Sequence, residues 1–179
     1  AVADLLPIVR DLATAARDAN IHFTIDAEEA DRLELSMDLI EALARDDSLF
    51  TRPDGSRWEG FGLAIQAYQK RGAPMVDWTA RLARKYDRKF FVRLVKGAYW
   101  DTEIKLSQVG GFKDFPVFTR KLATDVSYLA CAEKMLASDD AIYPAFATHN
   151  AYTIGAIKAL AGNKPLEFQR LHGMGEDIY

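Results

Sequence analysis

Strand-like apolar runs alternate with helical patterns along all 179 residues of this chain, and that order leaves few folds open. Runs rich in β-branched and aromatic residues predict strands at 21–26, 61–66, 89–95, 142–148 and 166–171. Apolar residues at helical spacing predict helices near 5–20, 33–44, 78–83, 100–109, 122–136 and 153–161. No Asn-Gly hairpin signal joins adjacent strand runs, so right-handed crossovers and a parallel sheet are predicted. The fold class is α/β.

The glycine motifs that bind phosphate groups are missing. Gly173 and Gly175 form a lone Gly-x-Gly after the last predicted strand, a pattern that more often marks a turn. A dinucleotide-binding Rossmann unit is therefore disfavoured.

Composition excludes several classes of function. The net charge of −3 and pI of about 5.6 argue against a nucleic-acid surface or a polybasic membrane patch. No apolar run approaches the ~20 residues needed to span a bilayer. The single cysteine, Cys131, lies in a helical pattern, where a buried thiol in a reducing, cytoplasmic compartment is expected. The first and last residues read as an excerpt from a longer chain.

Polar residues cluster where each predicted strand hands over to a helix. In α/β barrels the carboxyl ends of the strands surround one mouth and supply the catalytic groups. The candidates are Asp26, Gln66, Arg93 with Lys96, His149 with Asn150, and Gln169 with His172.

Most of these candidates also have a purely structural interpretation. Asp26 and His149-Asn150 could cap helices, and Gln66, Gln169 and His172 could be satisfied by neighbouring backbone groups. Arg93 is harder to explain in this way, because an arginine inside an apolar strand must face a cavity with an anionic or polar partner.

Metal binding and nucleophilic catalysis find little support in the sequence. The three histidines form no His-x-x-x-His or Glu-x-x-His pair, so no metal is predicted. No Gly-x-Ser-x-Gly elbow occurs, and Cys131 lies in mid-helix rather than at a strand end.

Seven segments in order along the chain carry a further signal. The most specific is Arg93-Leu94-Val95-Lys96-Gly97-Ala98-Tyr99-Trp100-Asp101. The other segments are 25–34, 66–70, 119–121, 124–130, 146–150 and 171–176. Together they resemble the proline dehydrogenase domain of the proline utilization A (PutA) family. The resemblance covers essentially the whole chain, from about Ile21 to Glu176.

The resemblance implies a (β/α)8 TIM-type barrel, of which residues 1–179 form the central part with about five strand-helix units. It also implies an FAD cofactor, L-proline as substrate, pyrroline-5-carboxylate as product and a quinone as electron acceptor. By position in the motifs, Arg93 resembles the arginine beside the flavin N5, where a fixed positive charge favours the reduced state.

The remaining site residues follow from the same resemblance. The expected flavin contacts are Gln66, Lys96, Gly97, Ala98, Trp100, Thr148, His149, Asn150 and Gln169, with Thr119, Lys121 and Thr124 as weaker candidates. The expected proline-side residues are Asp26, Tyr99 and Leu171, and Asp26 is expected to orient or deprotonate the amine without being the sole base.

Several features expected of the family lie outside this chain. A lysine and a pair of arginines that clamp the substrate carboxylate are not found in it, so we expect the 179 residues alone not to make a competent enzyme. A fused aldehyde dehydrogenase domain would also lie elsewhere, and the resemblance allows peripheral association with the inner face of the membrane.

Two other functions remain open at this point. Lys96, at a strand end with Asp26 available for proton transfer, could form the Schiff base of an aldolase. The chain could also be a truncated, non-catalytic barrel retained for oligomerisation or regulation.

Overall fold

A computed structural model describes residues 1–179, and it consists of strands that alternate with helices. The strands are β1 (Phe23–Ile25), β2 (Phe61–Gln66), β3 (Phe90–Val95), β4 (Ile142–Ala147) and β5 (Glu167–Gln169). The α-helices are α1 (Val2–Asp18), α2 (Leu33–Ala44), α3 (Gly72–Lys85), α4 (Trp100–Val109), α5 (Lys121–Ala137) and α6 (Ala151–Ala161). Two 3₁₀ turns, Ala30–Arg32 and Asp47–Phe50, flank α2.

The five strands form one parallel sheet in the order β1-β2-β3-β4-β5, which confirms the predicted α/β class. β1 and β5 have three residues each, fewer than the runs at 21–26 and 166–171 predicted. Both are edge strands with only one neighbour, so their hydrogen-bonded pairing covers fewer residues than their apolar sequence runs.

The two faces of the sheet have different surroundings. On one face Leu63, Ile65, Val92 and Leu94 are fully buried against the helices and belong to the main hydrophobic core. Because side chains alternate along a strand, the residues between them point to the opposite, concave face. The apolar helical stripes therefore cover only one side of the sheet.

Small side chains flank Arg93 on the concave face of the sheet. In the sheet register Arg93 of β3 lies between Ala64 of β2 and Ala145 of β4. These two methyl groups leave room for the guanidinium to rise from the middle of the sheet.

Buried hydrogen bonds hold the carboxyl ends of the two central strands together. The hydroxyl of Tyr128 on α5, a fully buried residue, donates to the carbonyl of Leu94 on β3 at 3.1 Å and approaches that of Ala147 on β4 at 3.3 Å. Burial raises the pKa of this phenol, so it stays protonated and able to donate.

None of the helices combines the length and apolar character required to cross a membrane.

Candidate active site

A cleft of about 950 Å³ opens on the concave face at the carboxyl edge of the sheet. Residues that follow every strand line it, from Asp26 after β1 to Leu171 after β5. The predicted site residues all line this cleft except Trp100, Thr119, Thr124 and His172. The parallel arrangement explains the convergence, because every strand delivers its carboxyl end to the same edge.

Arg93 stands at the centre of a polar network across the cleft floor. Its Nη1 donates to Asp26 Oδ1 at 2.5 Å and its Nε donates to Gln169 Oε1 at 2.7 Å. Gln169 in turn donates from Nε2 to Glu167 Oε1 at 2.7 Å. The half-buried charge is therefore met by one carboxylate directly and by a second through an amide.

Gln66 ties together two loops of the cleft rim. Its buried amide donates to the carbonyl of Glu28 at 2.7 Å and accepts from the backbone N–H of Ala98 at 3.2 Å. The first contact reaches the segment after β1 and the second the segment after β3. Backbone groups thus use one donor and one acceptor of this side chain.

Lys96 is held at the cleft wall by a carboxylate of α5. Asp125 accepts from Lys96 Nζ at 2.5 Å and from Lys121 Nζ at 2.9 Å. The hydrogen bonds from Lys96 and Lys121 hold the pKa of Asp125 below its usual value. Asp125 was not among the residues predicted from the sequence, although its spacing of four from Lys121 on a helix signals an ion pair.

Gly97 lets the chain pass close to a buried ring. Its φ of +138° suits glycine, and a Cβ built there would lie 2.4 Å from the ring of Tyr68. No other residue fits this position unless Tyr68 or the backbone moves.

The residues after β4 are held by local hydrogen bonds. His149 Nε2 accepts from the N–H of Leu171 at 3.0 Å, which places the ring proton of a neutral His149 on Nδ1. Asn150 caps α6 by accepting from the N–H of Thr153 at 2.9 Å, and Thr148 Oγ1 accepts from the N–H of Asn150 at 3.2 Å. His149 thereby joins the β4 and β5 loops.

Four predicted residues lie outside the lining of the cleft. Trp100 Nε1 donates to the carbonyl of Phe118 at 2.9 Å, and Thr124 is buried in the first turn of α5. Thr119 lies just before that helix, and His172 follows Leu171 without lining the cleft.

Glu28 also lines the cleft, although it was not among the candidate residues predicted from the sequence. Its Oε2 accepts from the hydroxyl of Tyr99 at 2.6 Å, and this bond raises the pKa of Tyr99. The pairing joins residues 71 positions apart, so no sequence pattern could have indicated it.

Comparison with known proteins assigns a family to this arrangement. A family model described as "Proline dehydrogenase" matches residues 5–179. The chain belongs to the proline dehydrogenase family. The resemblance drawn from the seven sequence segments is thus confirmed.

Individual members of the proline dehydrogenase family extend the match to nearly the whole chain. The bifunctional protein PutA is 51% identical over 180 residues in both Salmonella typhimurium and Escherichia coli, covering 98% of this chain and 13% of theirs. A crystal structure of Bradyrhizobium japonicum PutA is 54% identical with a TM-score of 0.92, covering 99% of this chain and 18% of that one. The proline dehydrogenase barrel of PutA has eight strand-helix units, and this chain holds part of it.

Proposed function

We propose that this chain forms the central part of a proline dehydrogenase barrel that oxidises L-proline to pyrroline-5-carboxylate with bound FAD. The observation that carries the proposal is the Asp26–Arg93–Gln169 network on the floor of the cleft. It places a permanent positive charge in a concave site, at the position where the family resemblance expects the flavin N5. Family membership supplies the reaction type.

The cleft suits a large planar cofactor. Its volume of about 950 Å³ lies within the range of ~300–1,000 Å³ typical of small-molecule and cofactor sites. Ala64, Ala145 and Ala147 keep the floor low beside Arg93, and Gly97 brings backbone close to the wall. We assign flavin contacts to Gln66, Arg93, Lys96, Gly97, Ala98, Lys121, Thr148, His149, Asn150 and Gln169.

Trp100, Thr119 and Thr124 are retained as outer contacts of the same cofactor. They lie near lining residues in sequence: Trp100 directly follows Tyr99, and the two threonines lie two residues before and three residues after Lys121. A long cofactor that extends beyond the cleft would reach them near the start of α5.

The chemistry requires positioning more than covalent catalysis. L-proline loses a hydride from C5 and a proton from its ring nitrogen, and the C5–N bond becomes an imine. FAD, when bound, supplies the hydride acceptor. The permanent charge of Arg93 stabilises the negative charge that develops during the transfer. Asp26 accepts a hydrogen bond from the substrate amine and helps to remove its proton.

Tyr99 and Leu171 complete the proline side of the site. Tyr99 is oriented by its hydrogen bond to Glu28, and Leu171 is held by the bond from its N–H to His149. A phenol hydroxyl and an isobutyl group in the cleft lining suit a small, mostly apolar ring.

The aldolase alternative loses support from the contacts of Lys96. A Schiff base requires a lysine nitrogen directed at a substrate carbonyl, whereas Lys96 Nζ is directed at Asp125, to which it donates a hydrogen bond at 2.5 Å. A non-catalytic barrel would have no need of a charge and two polar partners on an exposed cleft floor.

The remaining parts of the proposal rest on the family resemblance. The resemblance implies that a quinone would be the final electron acceptor and that the protein works in the cytoplasm or as a peripheral protein on the inner membrane face. The chain covers 13% of the PutA sequences, and a fused aldehyde dehydrogenase domain would lie in the rest of the protein.

A single spectroscopic titration tests the proposal. The protein, expressed with its native flanking sequence, is expected to show flavin absorbance that bleaches when L-proline is added without oxygen. A colourless protein, or a bound flavin that proline does not reduce, would contradict it. Trapping of Lys96 by borohydride with an aldehyde or ketone would support the aldolase instead.

A further inference from the structure

A buried carboxylate outside the cleft holds the segment that carries Asp26. Glu103, in the first turn of α4, is 4% exposed, and its Oε1 accepts from the backbone N–H of Ala30 at 2.6 Å. The contact links residues 73 positions apart. Neither the sequence motifs nor the cleft lining includes Glu103.

The contact takes the place of a missing cap. Ala30 opens the 3₁₀ turn Ala30–Arg32, and the residue before it, Glu29, makes no side-chain capping bond. The first N–H groups of a helical turn have no partner within the turn. Glu103 therefore satisfies from another element a donor that would otherwise be buried without a partner.

Other side chains fix the same segment at neighbouring points. The carbonyl of Ala30 accepts from Arg71 Nη2 at 2.7 Å, and the carbonyl of Glu28 accepts from Gln66 Nε2 at 2.7 Å. Asp26 begins this segment, four residues before Ala30. The orientation of the Asp26 carboxylate towards Arg93 thus depends on a backbone that is anchored from outside the site.

We propose that Glu103 is a positioning residue, which sets the place of Asp26 through the backbone N–H of Ala30 and so controls the affinity for the substrate amine. This inference rests on the proposed function, because it assigns Asp26 to the substrate side. Glu103 touches neither substrate nor cofactor. Its effect is specific to the proline side, since its bond is made to the Asp26 segment rather than to the strands that carry Arg93 and Gln169.

Three substitutions separate the hydrogen bond from the charge. Glu103→Gln keeps an acceptor oxygen at the same reach without the charge. Glu103→Asp keeps the charge but is one methylene too short to reach Ala30, and Glu103→Ala removes both. Glu133→Asp on α5, an exposed position without an ion pair, serves as the control.

The first measurement is the kinetics of proline oxidation by the protein with its native flanking sequence. In Glu103→Asp and Glu103→Ala we expect KM for proline to rise about tenfold, the loss expected for one hydrogen bond, with kcat within about twofold and unchanged flavin content. Glu103→Gln is expected to keep the KM of the wild type. Equal KM values in all variants, or a fall in kcat and flavin content without a rise in KM, would overturn the proposal.

A second measurement does not depend on activity. Amide hydrogen exchange is expected to show a protected Ala30 N–H in the wild type and in Glu103→Gln, and exchange about tenfold faster in Glu103→Asp. An unprotected Ala30 N–H in the wild type would refute the anchoring role, even if a variant failed to fold. Failure of the wild type to oxidise proline would refute the proposed function and leave the anchoring contact standing.

Discussion

Asp26 and Arg93 share a hydrogen bond of 2.5 Å, although Asp26 follows β1 and Arg93 lies on β3, two strands that are not neighbours in the sheet. β2 lies between them, and Ala64 is the β2 residue level with Arg93. The methyl group of Ala64 is small enough for the two charged side chains to meet above it. The ion pair therefore depends on a small residue in a strand that contributes neither charge.

Removal of the Arg93 charge is the most direct test of the site. Arg93→Gln is expected to slow flavin reduction by proline about 100-fold, because a donor aimed at developing charge is worth that much in comparable sites. Stopped-flow absorbance measures the rate. Arg81→Gln, at an exposed position on α3, is the matched control, and an unchanged rate in Arg93→Gln would contradict the assignment.

A methyl group at Gly97 should disturb the cleft wall. Gly97→Ala places a Cβ 2.4 Å from the Tyr68 ring at a φ of +138°, and we expect a loss of ~1–3 kcal/mol in the free energy of unfolding together with reduced flavin content. Denaturant titration and the ratio of flavin to protein absorbance measure the two effects.

Gly155→Ala provides the control for that substitution. Gly155 lies in the middle of α6 with open space around its Cα, so alanine there is expected to stabilise the helix by up to ~1 kcal/mol. Equal effects of the two substitutions would mean that the contact between Gly97 and Tyr68 is unimportant.

The hydroxyl of Tyr128 is expected to stabilise the fold without affecting chemistry. Tyr128→Phe removes its contacts with the carbonyls of Leu94 and Ala147, which should lower the free energy of unfolding by ~1–2 kcal/mol. Thermal unfolding measures the loss. Tyr152→Phe, at an exposed position on α6, should unfold with the wild type, and identical melting of all three proteins would exclude this role.

The acid stability of the protein should depend on Glu41. Hydrogen bonds from Arg45, Lys85 and Tyr86 lower the pKa of Glu41 from 4.5 to about 2. A carboxyl whose pKa is lower in the folded chain stabilises the fold fully above its unfolded pKa and loses that effect as the pH falls through the folded pKa. The stabilisation is modest, because Arg45 and Lys85 are more than half exposed.

The measurement compares denaturant midpoints of the wild type and Glu41→Gln across pH. Their difference is expected to be largest at neutral pH and to shrink between about pH 4.5 and 2. Glu133→Gln is the control without an ion pair. A difference in midpoint that grew as the pH fell would contradict a lowered pKa of Glu41 in the folded protein.

The sequence predicted the architecture better than the contacts. The apolar runs located all five strands. The helical patterns between them predicted parallel pairing, and the structure has one parallel sheet. Arg93 could be identified because a permanent charge inside an apolar strand needs a polar cavity. The chemistry of Gln66 alone did not distinguish a ligand contact from a backbone contact, and only the family resemblance placed this residue among the expected flavin contacts.

The residues that the sequence did not indicate share one property. Glu28, Glu103 and Asp125 each contact a side chain or backbone group from another element of the fold. The helix dipole alone favours acidic residues in the first turn of a helix, such as Glu103. An acidic residue at that position therefore does not indicate a contact with another element. Only the folded chain reveals which of them contact another element of the fold.

The order β1-β2-β3-β4-β5 has a practical consequence for protein engineering. Each loop at the carboxyl edge of the sheet lies beside the loops that precede and follow it in the sequence. The order of the loops around the cleft is therefore the order of the sequence. A library that varies one contiguous stretch of codons, such as those around Tyr99, therefore remodels one sector of the opening. Distant sectors, including the His149 side, keep their shape, and substrate preference can be explored one arc at a time.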